Sequence, residues 1–209
     1  MLDFTEYSKI FITLLAIVNP LGAIPIVMAL TADASEEEFR RTTRTTVTAV
    51  LVILLAALFT GEFLLGFFGI SVNSFRVAGG ILLLLMALSM LHARQSAITF
   101  SKEEASTSTR ESVAVVPISM PLLAGPGAIS TVILYTHKSH APLHYLFMVL
   151  EILLLVLLLW FAFLAIPWIS RHATQTRINI FSRVMGLILA AIAVEFIANG
   201  VKGLFPVLT

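Results

Sequence analysis

Between Ile10 and Ala32 the chain carries no Asp, Glu, Lys or Arg, and a second charge-free run extends from Ser112 to His137. A bilayer crossing needs about 20 such residues. Lipid offers no partner to a backbone N–H or C=O, so runs like these must satisfy their own main chain, which a helix does. Four further windows, with at most a few charges near their ends, run from Val47 to Phe68, Val72 to Leu91, Tyr145 to Ile169 and Ile178 to Leu204. Six spans result. The chain is 58% hydrophobic and 12% charged, against about a quarter charged in a soluble domain. It reads as an all-α integral membrane protein. Ala32-Asp33-Ala34 has the small residues of a signal cleavage site, but the apolar run before it is too long and its flank, with Asp3, Glu6 and Lys9, is not positive. A retained span is expected.

Each charge-free run is interrupted by two prolines five residues apart. The first pair lies in Asn19-Pro20-Leu21-Gly22-Ala23-Ile24-Pro25, the second in Pro121-Leu122-Leu123-Ala124-Gly125-Pro126-Gly127. Proline lacks the amide donor and clashes with the preceding turn. A pair inside a span therefore breaks the helix and frees polar groups that only protein or a wet cavity can meet. Corresponding breaks in two halves of a membrane protein are the sequence pointer to a transport site.

Positive charge sets the orientation. The loops after spans 1, 3 and 5 hold Arg40, Arg41, Arg44, Arg94, Lys102, Arg110, Arg171, Arg177 and Arg183, while the other side holds Lys9, Arg76, Lys138 and Lys202. Both termini are expected outside. The proline pairs repeat at an offset of 101, and Arg76-Val77-Ala78-Gly79 is echoed by Arg183-Val184-Met185-Gly186. Three spans per half force the second copy to insert upside down. The expected architecture is two inverted three-helix repeats, residues 1–93 and 112–209, joined by a cytoplasmic linker over 94–111, with helices 1 and 4 broken at the midplane. Ser35 and Glu38 form a capping box that starts span 2 before it enters lipid.

Entering from outside near Ile10, span 1 reaches Asn19 and Pro20 about 14 Å deep; span 4, entering from inside near Val113, reaches Gly125 and Pro126 after about 18–20 Å. After each break a half-helix restarts, with Pro25 and Pro126 suited to its first position. Its free amides and positive dipole end suit a carboxylate, and the carbonyls ending the preceding half-helix suit an ammonium group. A zwitterionic amino acid satisfies both. The candidate substrate-binding residues are Asn19, Pro20, Gly22, Pro25, Ser119, Pro121, Gly125, Pro126, Gly127 and Ser130, with Thr131 a further donor. Gly22, Gly125 and Gly127 leave room for a ligand to approach main chain. The competing reading is a pair of packing kinks at which small residues bring helices together.

Glu195 on span 6 is the sharpest coupling candidate, because an intramembrane carboxylate is costly and usually functional. Arg76 and Arg183 occupy matching places in the two halves and are the gating candidates, though arginines also snorkel at interfaces. Glu62 and Glu151 fall in the outer thirds of spans 2 and 5. Asn73 and Asn199 read as helix caps. His137, His140 and His144 are spaced like one helical face, but Pro142 interrupts it and no carboxylate sits beside it in sequence, so no metal site is expected. No histidine is deep enough to serve a membrane serine, and no H-E-x-x-H motif occurs, so an enzyme is not expected. The absence of cysteine excludes disulfides and iron–sulfur clusters, and no cofactor is expected.

The segments Asn19-Pro20-Leu21-Gly22-x-x-Pro25, Pro117-Ile118-Ser119-Met120-Pro121-Leu122-Leu123-Ala124-Gly125-Pro126-Gly127-Ala128-Ile129-Ser130 and Ser182-Arg183-Val184-Met185-Gly186-Leu187 resemble the MarC family of bacterial and archaeal inner-membrane proteins. Phe75-Arg76-Val77-Ala78-Gly79-Gly80 extends the likeness over nearly the whole chain. The resemblance implies a secondary transporter of small neutral amino acids, glycine- or alanine-like, with protons or sodium as candidate coupling ions. It implies a multi-pass protein of the inner membrane whose partners are that substrate and the lipid bilayer, with no nucleic acid, and is compatible with a homo-oligomer. A pore for small solutes and a non-transporting assembly protein are the alternatives.

Overall fold

A computed structural model describes residues 2–31, 34–91, 123–172, 175–205 and 207. Among these residues the chain is entirely helical. The elements are α1 (Phe4–Val18), α2 (Pro20–Leu30), α3 (Glu36–Phe67), α4 (Val72–Leu91), α5 (Pro126–Thr136), α6 (Pro142–Leu164), α7 (Ile166–His172) and α8 (Gln175–Leu204). The expected linker over 94–111, and the first part of span 4 with Ser119 and Pro121, lie outside the described residues.

Local chemistry sets the boundaries. Asp3 caps α1 by accepting from the Glu6 amide at 2.7 Å. The capping box at the start of α3 forms as expected, with the Glu38 amide donating to Ser35 Oγ and the Ser35 amide donating to Glu38 Oε2. At about 48 Å, α3 exceeds the roughly 30 Å hydrocarbon core, so its charged first turns extend beyond lipid. It ends at Gly69, whose φ of 66° permits a Schellman turn: Gly69 N–H donates to Gly66 O and Ile70 N–H to Leu65 O. Ser71, not Asn73, then caps α4 by accepting from the Ser74 amide at 3.0 Å. The window expected as one fifth span is two helices, because the chain turns at Ala165 ahead of Pro167, which has no amide for the Phe163 carbonyl.

Five stretches are long and apolar enough to cross a membrane: Phe4–Ile24, Glu36–Phe67, Val72–Leu91, Pro142–Leu164 and Ile180–Leu204. Phe59, Phe63, Phe67, Leu85, Phe161 and Leu187 are among many large apolar side chains on their exterior. A water-soluble monomer does not expose so continuous an apolar surface; lipid solvates it. At 11 residues α5 is about 16 Å long, too short to cross, yet it is almost wholly buried and touches α1, α3, α4 and α6. Ile10, Leu14, Leu54, Leu83, Val132, Met148, Ile152 and Leu155 fill the core around it.

The helix α4 runs antiparallel to α8 along nearly its whole length. A Cβ built on Gly80 would stand 2.9 Å from the Ala193 carbonyl oxygen, one on Gly200 3.0 Å from that of Asn73, and one on Gly186 3.2 Å from that of Ala87. Small residues thus bring the two backbones together, which in lipid replaces the hydrophobic driving force available in water.

Candidate functional site

Asn19 is the hinge between α1 and α2. It alone among the described non-glycine residues has a positive φ, 45° with ψ 65°, a conformation that asparagine tolerates better than most residues. Its amide donates to Leu15 O at 2.9 Å and closes α1; its carbonyl accepts from Ala23 N–H at 3.3 Å. Its side-chain Oδ1 accepts from Gly22 N–H at 3.1 Å and caps α2, while Nδ2 points at Met90 Sδ, 3.8 Å away on α4. A Cβ on Gly22 would collide with that Nδ2. Asn19 is buried.

The helix therefore restarts at Pro20, and the expected restart at Pro25 is corrected: Pro25 lies inside α2. Two facts explain the shift. Asn19 can adopt the left-handed turn and cap in one step, and a proline at the first helical position withholds only an amide that would have been unpaired anyway. Pro25 instead deprives the Leu21 carbonyl of its usual donor, and Pro20 does the same to Ala16. Pro126 does take a first helical position, at the start of α5 with Gly125 as N-cap; the chain before residue 123 lies outside the described residues.

The hinge after α1 and the start of α5 lie close together. A Cβ on Gly127 would clash with Leu83 and reach 3.5 Å from Ile17 Cγ2, so the end of α1 abuts the start of α5. Gly125, Gly127, Ser130 and Thr131 are buried, as is Pro20, whereas Gly22 is half-buried and Pro126 exposed. Ser130 faces α4, where a Cβ on Gly79 would lie 2.7 Å from its Oγ. Thr131 spends its hydroxyl on the Gly127 carbonyl at 2.8 Å. The start of α5 has no side-chain cap among the described residues. The end of α1 thus lies beside the start of α5, whose first amides have no side-chain acceptor among the described residues.

The coupling and gating candidates lie apart from this junction. Glu195 is on an exposed face of α8 and accepts from Asn199 Nδ2 at 2.7 Å; Asn199 is accordingly no cap. Arg76 is half-buried on α4 and Arg183 exposed on α8, and neither forms an ion pair among the described residues.

A second polar group gathers at the end of the bundle where α1 begins. Fully buried His144 places Nε2 3.0 Å from the Tyr135 carbonyl and Nδ1 2.9 Å from Tyr7 Oη. A carbonyl only accepts, so Nε2 carries the proton and Tyr7 donates to Nδ1. Two turns along α6, Glu151 keeps one buried carboxylate oxygen without a partner among the described residues. Sequence reading missed Tyr7 altogether. The spacing of His144 and Glu151, seven residues on one helix face, was the available signal, but nothing local links them to a tyrosine 137 residues earlier.

The loop between α5 and α6 is fastened to both neighbours. Lys138 Nζ lies 3.3 Å from Glu6 Oε2 on α1, and His137 Nδ1 lies 2.7 Å from Glu62 Oε1 on α3. His140 Nδ1 stands 3.7 Å from Glu62 Oε2. The sequence shows no carboxylate beside these histidines; the fold supplies one.

Residues 4–205 match the model of the MarC family integral membrane proteins. The chain belongs to that family. It is 43% identical over 206 residues to the UPF0056 membrane protein YhcE of Escherichia coli (strain K12), covering 98% of this chain and 95% of the relative. A UPF0056 membrane protein of Methanocaldococcus jannaschii is 36% identical over 202 residues, covering 97% and 98%. The Bacillus subtilis (strain 168) protein YvbG is 34% identical over 208 residues, covering 99% of each. No solved structure matches. The MarC assignment and the lipid-facing helices agree that this is an integral membrane protein of a bacterial and archaeal family.

Proposed function

We propose that this MarC protein is a secondary transporter of small neutral amino acids whose substrate binds between the starts of α2 and α5. One observation carries the reading: the end of α1, where the Asn19 hinge leads into the proline-started α2, lies against the start of the proline-started α5 through the contact of Ile17 with Gly127. The uncapped Gly127 and Ala128 amides at the positive end of α5 suit a carboxylate. Asn19 Nδ2, held only against a thioether, which is a weak acceptor, exchanges that contact for a carboxylate oxygen. The Ala16 carbonyl, left without an amide by Pro20, suits the ammonium group. Gly22, Ala23, Ala124, Gly127 and Ala128, all small, suit a substrate with a small side chain.

Alternating access follows from two inverted halves rocking about this junction, with the α4–α8 pair as the interface between them. Coupling to protons is assigned to Glu151, whose unpartnered buried oxygen suits a proton carrier better than the exposed Glu195. The test is counterflow: proteoliposomes preloaded with unlabelled alanine should accumulate labelled alanine or glycine transiently, with saturation. No exchange of any small neutral amino acid sinks the substrate assignment, and a flux that neither saturates nor shows counterflow replaces the carrier with a pore.

A further inference from the structure

We infer that Glu62, His137 and His140 form a binding site for a divalent transition-metal ion, Zn2+ above all, on the rim of the bundle where the α5–α6 loop meets α3. The three side chains offer one ligand atom each, and these atoms lie within 4.8 Å of one another. Two imidazoles and a carboxylate form a donor set that zinc accepts, at about 2.0–2.2 Å per bond. Tetrahedral bonds of that length hold neighbouring ligand atoms about 3.3 Å apart. The observed 2.7 Å from His137 Nδ1 to Glu62 Oε1 and 3.7 Å from His140 Nδ1 to Glu62 Oε2 straddle this value. Small rotations of these solvent-accessible side chains bring the three ligand atoms to one ion.

The two histidines come from one short loop and the carboxylate from a helix 75 residues earlier. All three side chains are open to solvent, at 46% for His137, 66% for His140 and 37% for Glu62, so an ion can enter and keep water as its fourth ligand. The imidazoles meet edge to face, with centroids 5.9 Å apart, and both present Nδ1 to the carboxylate. Hard cations such as Mg2+ and Ca2+ prefer all-oxygen sites, which makes the preference for zinc, cobalt or nickel a chemical consequence of the donors. A bound ion ties the α5–α6 loop to the end of α3. That loop also holds α1 through Lys138 and Glu6, so occupancy clamps three elements at one rim. The site does not depend on the transport reading.

The test uses full-length, tag-free protein in detergent, stripped with a chelator and titrated with Zn2+ by calorimetry and with Co2+ by visible absorption. One equivalent of Zn2+ per chain should bind saturably, Mg2+ should not compete, and Co2+ should show the intense bands of a low-symmetry site. H140A and E62Q should each weaken Zn2+ binding at least tenfold while leaving the thermal transition of the metal-free protein within the error of the wild type, since His140 is exposed and a solvent-accessible pair such as Glu62–His137 adds little to stability. Binding that is absent, non-saturable, or unchanged in H140A and E62Q overturns the site and leaves the cluster a hydrogen-bonded pair with a neighbouring histidine.

Discussion

Gly22→Ala separates stability from function at the α1–α2 junction. The new Cβ occupies the place of Asn19 Nδ2, so the Asn19 side chain must swing away and release the Gly22 amide that Oδ1 holds at 3.1 Å. Losing an N-cap costs about 0.5–2 kcal/mol, while alanine is better than glycine inside a helix by about 0.8–1 kcal/mol. The two nearly cancel, leaving a net change within about 1 kcal/mol, or roughly 2–4 °C in the melting temperature of a chain this long. Function has no such offset. If Nδ2 donates to a substrate carboxylate, that bond is worth about 1.5–3 kcal/mol, a factor of about 10–150 in apparent affinity. Tryptophan fluorescence melting and the concentration dependence of alanine counterflow measure the two quantities on one preparation. Wild-type counterflow in Gly22→Ala refutes the role of Asn19. A melting temperature lowered by more than about 10 °C refutes the compensation argument and returns the junction to pure packing.

Tyr7→Phe removes the hydroxyl that donates to His144 Nδ1 at 2.9 Å and leaves a fully buried ring nitrogen unpaired; the expected loss is about 1–3 kcal/mol, read as a lower melting temperature that a second change, His144→Phe, does not deepen additively. Glu151→Gln should keep alanine counterflow but abolish uptake driven by an imposed pH gradient, and undiminished gradient-driven uptake would remove Glu151 from the coupling step.

The capping box at Ser35 and the start of α5 at Pro126 were legible in sequence because each depends on residues within four positions of one another. The restart at Pro20 was harder. Both prolines of that pair fit a first helical position, and the choice fell to Asn19, whose left-handed turn also has to pack against Met90 from another helix. The helices α2 and α5 consequently begin at different members of their proline pairs, Pro20 and Pro126, which no offset alignment could anticipate. Asn73 and Asn199 looked like caps because they stand near span ends, yet Ser71 caps α4 and Asn199 turns to Glu195 one helical turn away.

Lipid explains how much the chain alone determined. With no water to satisfy the main chain, long charge-free runs had to be helices, so the all-helical class and the approximate positions of most membrane-length helices followed from composition, whereas which proline starts a helix did not. What only the tertiary structure decided is which distant groups meet: Ile17 with Gly127, Tyr7 with His144, and Glu62 with His137 and His140. Those contacts depend on helix rotation and loop position, which side-chain packing among five membrane-length helices sets, and a one-dimensional apolar pattern does not encode them.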